Sequence, residues 1–162
     1  MMRKINAFTL LELCFVLLIT SCLGVLAMGY LQKKSPQELA HTRAHHIAHH
    51  LHFAKIEAIK RLKPIHVCGT TDFNSCSPLW SEGFLIYVDQ DQNGRLSEKD
   101  LILRMVRFKP SALKIHSGNT AAVKFSPTGR CLTRCTLSIL TEDALQAAII
   151  LYDSGRARLV YP

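Results

Sequence analysis

The chain of 162 residues contains none of the short motifs that mark the common catalytic centres. There is no GxSxG nucleophile turn, no Walker phosphate loop and no HExxH zinc helix, so hydrolase, nucleotide-hydrolysing and metalloprotease chemistries have no anchor here. Enzymatic activity is not expected, and no cofactor is called for. No stretch is polar and of low complexity, which leaves no disordered tail, and no internal repeat is present. Charge is missing altogether from residues 13–32, twenty in succession. A run of that kind does not belong to a soluble surface, and it leaves roughly 125 to 130 residues for one ordinary domain.

Hydrophobic residues make up 48% of the chain, enough for a real core in that domain. The formal charge of +8 is unevenly spread. Residues 33–63 carry seven Lys/Arg against two acids, 64–100 two against six, and 101–162 nine against three. The basic C-terminal part favours anionic partners, nucleic acid or lipid head groups, because clustered positive charge concentrates them locally.

The N-terminus is basic at Arg3 and Lys4, and from Phe8 to Leu31 Glu12 is the only charge. As a helix at about 1.5 Å per residue, Phe8 to Tyr30 would reach roughly 35 Å, the thickness of a bilayer. The run is too long for an ordinary signal peptide, and Leu26-Ala27-Met28-Gly29 is a poor cleavage site, so the segment is expected to be retained. An ionised Glu12 in hydrocarbon needs a partner.

Ala7-Phe8-Thr9-Leu10-Leu11-Glu12-Leu13 resembles the prepilin motif of type IV pilins and type II secretion pseudopilins. The resemblance implies that a prepilin peptidase cuts between Ala7 and Phe8 and methylates the new amine, and that Glu12 pairs with the Phe8 amine of a neighbouring subunit during assembly. Ala7 stands where the family usually has Gly. The implied organisation is a leader over 1–7, a transmembrane and assembly helix over 8–32, and a periplasmic head over 33–162. A single-pass inner-membrane protein follows, extracellular once assembled in a fibre with other pilins.

Six cysteines divide by position. Cys14 and Cys22 lie in the apolar segment as small hydrophobes. Cys68, Cys76, Cys131 and Cys135 fall in the head, where an even count in an exported domain reads as two disulfides. Cys68 with Cys76 and Cys131 with Cys135 each close a short loop between extended segments. A four-thiolate zinc site is the competing reading, but the spacings are not paired CxxC.

Ser35-Pro36-Gln37-Glu38 reads as a helix start, with Ser35 as N-cap and Glu38 completing a capping box. Leu39, Ile47, Leu51, Ala54, Ala58 and Leu62 form one apolar face of a helix running to about Arg61, a face that a sheet should cover. The same helix carries His41, His45, His46, His49, His50 and His52. Pairs four apart could hold a metal, although no acidic groups stand nearby, and a solvated face that gains charge below about pH 6 fits the same pattern. Beyond Pro64 eight short alternating runs separated by turn residues read as strands: 65–68, 84–88, 101–108, 113–116, 122–125, 136–140, 147–152 and 157–161. The fold class is α+β, a long helix packed on an antiparallel sheet.

The head also resembles the GspH/FimT group of minor pilins and pseudopilins. The matching residues are Ala54-Lys55-Ile56-Glu57-Ala58-Ile59-Lys60-Arg61, Val67-Cys68, Gly83-Phe84-Leu85-Ile86-Tyr87-Val88-Asp89 with its Asn93-Gly94 turn, and Phe125-Ser126-Pro127-Thr128-Gly129. Gly155-Arg156-Ala157-Arg158 looks like the GRxR motif of FimT-type minor pilins, which bind DNA in natural transformation. Residues two apart on a strand share a face, so Arg156 and Arg158 would project together, with Gly155 permitting a tight turn before them. Paired guanidinium forks suit successive phosphates without regard to base sequence. By that resemblance Gly155, Arg156 and Arg158 form the DNA site, with Arg130 and Arg134 as possible extensions; a charged, protected edge strand explains the same residues without DNA. A purely structural GspH-type pseudopilin of a type II secretion system is the alternative role.

Asp89-Gln90-Asp91-Gln92-Asn93-Gly94, continuing to Asp100, has calcium-loop spacing. Asp100 stands where a Glu is usual, and a strand rather than a helix precedes, so a polar hairpin loop is the plainer reading and no metal is expected.

Overall fold

The structure, a computed structural model, describes residues 9–31, 35–118, 120–142 and 144–162, with the backbone alone for 26–31. Ala7 and Phe8 lie outside the described residues. The chain divides into two compact units, Met1–Lys34 and Ser35–Pro162.

The first unit holds helix α1, Leu10–Leu31. Thr9 begins it by accepting a hydrogen bond from the Glu12 N–H at 3.3 Å. Leu10, Leu11, Phe15, Leu18, Leu23 and Val25 are all exposed, so the described part is apolar around its circumference, a surface that needs lipid or other helices to cover it. Among the described residues no helix is long and apolar enough to cross a membrane. The expected span over 8–32 therefore rests on the sequence.

The second unit opens with α2, Pro36–Arg61. Ser35 caps it in extended conformation, its Oγ accepting from the Glu38 N–H at 3.2 Å, and Lys60 and Arg61 oppose the dipole at its other end. The buried stripe is Ala40, Ala44, Ile47, Leu51, Ala54 and Ala58. Four alanines in that stripe let the backbone approach the sheets closely. Leu62, expected on the same face, is instead the C-cap in left-handed conformation (φ 53°) and turns out to solvent. The histidines also divide. His50 is buried edge-on against Phe84, with ring centroids 5.3 Å apart, while His41 stacks on Tyr161 at 4.0 Å.

Two four-stranded antiparallel sheets follow, where a single sheet was expected. Strands β1 (Ile65–Gly69), β2 (Gly83–Val88), β3 (Leu101–Arg107) and β5 (Ala122–Phe125) form one, in the order β3-β2-β1-β5. The other contains β4 (Leu113–His116), β6 (Thr136–Thr141), β7 (Ala144–Leu151) and β8 (Ala157–Val160), in the order β4-β6-β7-β8. Helix α2 lies against β1 and β5 of the first sheet and β6, β7 and β8 of the second. Trp80 joins the two sheets: its backbone N–H donates to the Ile115 carbonyl at 2.7 Å, and its buried ring lies 5.5 Å from that of Phe84, centroid to centroid.

Strand β2 is buried on both faces, which is why it reads as an unbroken apolar run. Phe84, Ile86 and Val88 enter the main core, whereas Leu85 and Tyr87 join Cys68 in a smaller cluster with Phe73, Cys76 and Leu96. Cys68 and Cys76 are disulfide-bonded. For a loop spanning eight residues the chain-entropy cost removed from the unfolded state is about 2.5 kcal/mol. Denaturation of the Cys68→Ser/Cys76→Ser variant is expected to show that loss, and an unchanged midpoint would refute it.

The expected bond between Cys131 and Cys135 is not made. Cys131 is buried in the main core, its thiol donating to the Thr133 carbonyl at 3.1 Å, and Cys135 packs at the edge of the same core. Both thiols thus serve as small apolar groups. Burial, with Cys131 beside it, pushes the Cys135 thiol up to about 12.

Candidate nucleic-acid interface

Strand β8 is an edge strand, registered on β7 with Leu151 opposite Ala157 and Ile150 opposite Arg158. The turn between them is closed by the Gly155 N–H on the Tyr152 carbonyl (2.8 Å) and the Tyr152 N–H on the Arg156 carbonyl (3.1 Å). Gly155 sits at φ 69°, buried, and a Cβ there would collide with the Gly129 carbonyl oxygen. Only glycine meets both demands.

Three further contacts pin this turn from separate parts of the head. The Lys55 ammonium on α2 donates to the Ser154 carbonyl at 2.9 Å. The Cys131 N–H donates to the Asp153 carbonyl at 3.0 Å. The Arg134 guanidinium forks onto the Asp153 carboxylate, Nε at 2.5 Å from Oδ1 and Nη2 on Oδ2. Hydrogen bonding to Arg134 holds the Asp153 carboxyl below its ordinary value. Its share of stability is complete above about pH 4 and disappears as pH falls through that lowered value. Melting curves between pH 5 and 2.5 should fall more steeply for the native chain than for Asp153→Asn; parallel curves would contradict this.

Ala157 packs against the core between Arg156 and Arg158, which are both exposed, as alternation along a strand requires. Neither arginine side chain has a hydrogen-bonding or ion-pair partner among the described residues. With Tyr152 and Ser154 they line a shallow cavity of about 370 Å³. A second, of about 650 Å³, runs along Arg134, Ile150 and Leu151 and shares Tyr152 and Ser154 with it. The structure thus brings Gly155, Arg156 and Arg158 together as the spacing suggests. Arg134 is different: it is spent on Asp153 and fixes the turn instead of offering a free charge.

Two residues of this surface escaped the sequence. Lys55, which the sequence marks only as part of the helix resembling the GspH/FimT group, is a tether of the turn. Tyr152 was assigned to the end of a strand, but β7 stops at Leu151 and leaves its ring 42% exposed beside the arginines. The signal available was the following Asp153-Ser154-Gly155, which places Tyr152 at the first corner of the turn.

Elsewhere, Asp89, Asp91 and Asp100 come together, while the histidines of α2 assemble no group of three with metal-binding geometry among the described residues.

A long helix laid across two antiparallel sheets, with a separate apolar N-terminal helix, defines a pilin-like protein. The family model for "Type II transport protein GspH" matches residues 43–159, and the chain belongs to that family. Among solved structures it is similar to the type IV minor pilin FimU of Pseudomonas aeruginosa strain PAO1. One crystal form, in space group P21, superposes with a TM-score of 0.57 at 19% identity, covering 74% of this chain and 87% of that one. Another, in P65, gives 0.54 at 17% identity, covering 74% and 91%. These likenesses establish the fold. Comparison with curated proteins finds no match.

Proposed function

We propose that this pilin-like protein is a minor pilin that grips DNA through phosphate contacts, without sequence preference, for uptake in natural transformation. The observation that carries the reading is the pair Arg156 and Arg158, exposed, with side chains unpaired among the described residues, on either side of the first residue of β8 and behind a turn held by several hydrogen bonds. Each guanidinium is free to fork onto phosphate oxygens, and charge-assisted bonds of this kind are the strong ones. Tyr152 adds an aromatic face on which an unpaired base can stack.

The remaining expectations belong to the same proposal. Prepilin peptidase cuts between Ala7 and Phe8, Glu12 meets the Phe8 amine of a neighbouring pilin, and the apolar segment holds the chain in the inner membrane with its head in the periplasm. The all-round apolar surface of α1 and the exposure of Glu12 support it.

A structural role in type II secretion is the second reading, favoured by the family's being one of type II transport proteins. Fold and leader suit both. Deleting the gene and scoring transformation against secretion separates them: loss of DNA uptake with secretion intact supports the first, and the reverse outcome overturns it. In vitro, the full chain in detergent should bind a labelled duplex with log affinity falling linearly in log salt at about −0.9 per phosphate neutralised. Absence of binding at 50 mM salt would refute it.

A further inference from the structure

The loop between β2 and β3 gathers three carboxylates. One oxygen from each of Asp89, Asp91 and Asp100 lies within 4.8 Å of the others. Asp89 is only 4% exposed, and its two oxygens differ. Oδ2 accepts the Gly94 N–H at 2.8 Å, while Oδ1 is buried and meets no donor. Buried carboxylate oxygens are almost always satisfied, and this one faces a crowded anionic corner with no donor among the described residues. No lysine or arginine pairs with any of the three among the described residues; the nearest basic group is the His66 ring, 3.8 Å from Asp89 Oδ2.

We propose that this loop is a calcium site. Counted from Asp89, the loop follows the twelve-place order of a helix-flanked calcium loop while lying between two strands. Asp89, Asp91 and Asn93 take the first, third and fifth places, and Gly94 makes the sharp turn at the sixth with φ 74°. The Arg95 carbonyl falls at the seventh, where such loops use a backbone oxygen. Leu96, the eighth, packs against the cluster of Cys68, Leu85 and Tyr87 and anchors the loop to the head. Ser97, the ninth, reaches both Asp91 Oδ2 (3.2 Å) and Asp100 Oδ2 (3.1 Å), and Asp100 closes the set at the twelfth.

The donor chemistry selects the metal. All donors are hard oxygens, and ligands at about 2.4 Å on opposite sides of one ion stand about 4.8 Å apart, a span that the three carboxylates meet. Magnesium demands a tighter octahedron and keeps several waters, which a loop supplying this many protein oxygens does not favour. Asp100 in place of a bidentate Glu removes one oxygen and puts the affinity in the extracellular class, about 10⁻⁴ to 10⁻³ M. The bound ion ties the end of β2 to the start of β3.

The test uses the full chain in detergent, stripped of metal with EDTA. Calorimetric titration with calcium chloride should give one site with a Kd of about 10⁻⁴ to 10⁻³ M, and 10 mM calcium should raise Tm by about 5 to 9 °C. Asp91→Asn and Asp100→Asn should keep the native circular dichroism without calcium yet lose both heat and Tm shift. Three results would overturn the site: no heat and no shift in the native chain, the same response in both variants, or an equal response to magnesium chloride. Should Asp89→Asn fail to fold, the two more exposed positions still decide the matter.

Discussion

Replacing Arg156 and Arg158 together with Gln is expected to weaken DNA binding by about 60-fold at 0.1 M salt and to flatten the salt dependence by about two units. Each phosphate contact contributes a slope of about −0.9 on duplex through release of condensed counterions. Two lost contacts remove about 1.8 units, and at 0.1 M that exponent corresponds to the stated factor. Glutamine preserves polarity, and since neither arginine side chain has a partner among the described residues, the fold has no reason to respond. Anisotropy titrations between 50 and 300 mM salt give both quantities. A double variant with native slope would place the interface elsewhere on the basic surface. One that fails to melt cooperatively would show instead that the arginines are structural.

Gly155→Ala should cost about 3 kcal/mol, lowering Tm by about 10 °C. Left-handed backbone costs an alanine about 1 to 2 kcal/mol, and the added methyl group also meets the Gly129 carbonyl, which is backbone and cannot swing aside. Relief requires the 126–129 turn or the 152–156 turn to move, loosening the contacts from Lys55, Cys131 and Arg134. Affinity for DNA should fall as well, although no charge has changed. Denaturant titration measures the first effect, and a loss below about 0.5 kcal/mol would mean that the two turns part easily.

Much of the head was legible because its signals are local. Ser35-Pro36 fixed the start of α2, and eight alternating runs became eight strands whose ends moved by three residues at most. The division into two sheets was not legible, since pairing joins β1 to β5 and β4 to β6 across intervening elements, and nothing near β1 announces its partner. Local spacing also misled at Cys131 and Cys135: a short interval between cysteines permits a bond, but the direction of Cys131 into the core decides what the thiol does. Leu62 shows the same limit, because a helical stripe extends only until a cap turns the chain. For the interface, Arg156 and Arg158 could be read from a period of two, whereas Lys55 stands about a hundred residues before the turn that it holds. Whether Arg134 was free or paired depended on Asp153, nineteen residues away on another element.

The segment that presents the arginines is fastened at its corner as well as at its end, where Tyr161 meets His41 and His45 on α2. On the proposed function, tension on bound DNA enters at a corner held by α2 through Lys55 and by the chain leading into β6 through Cys131 and Arg134, and reaches the pairing of β8 with β7 only after those bonds.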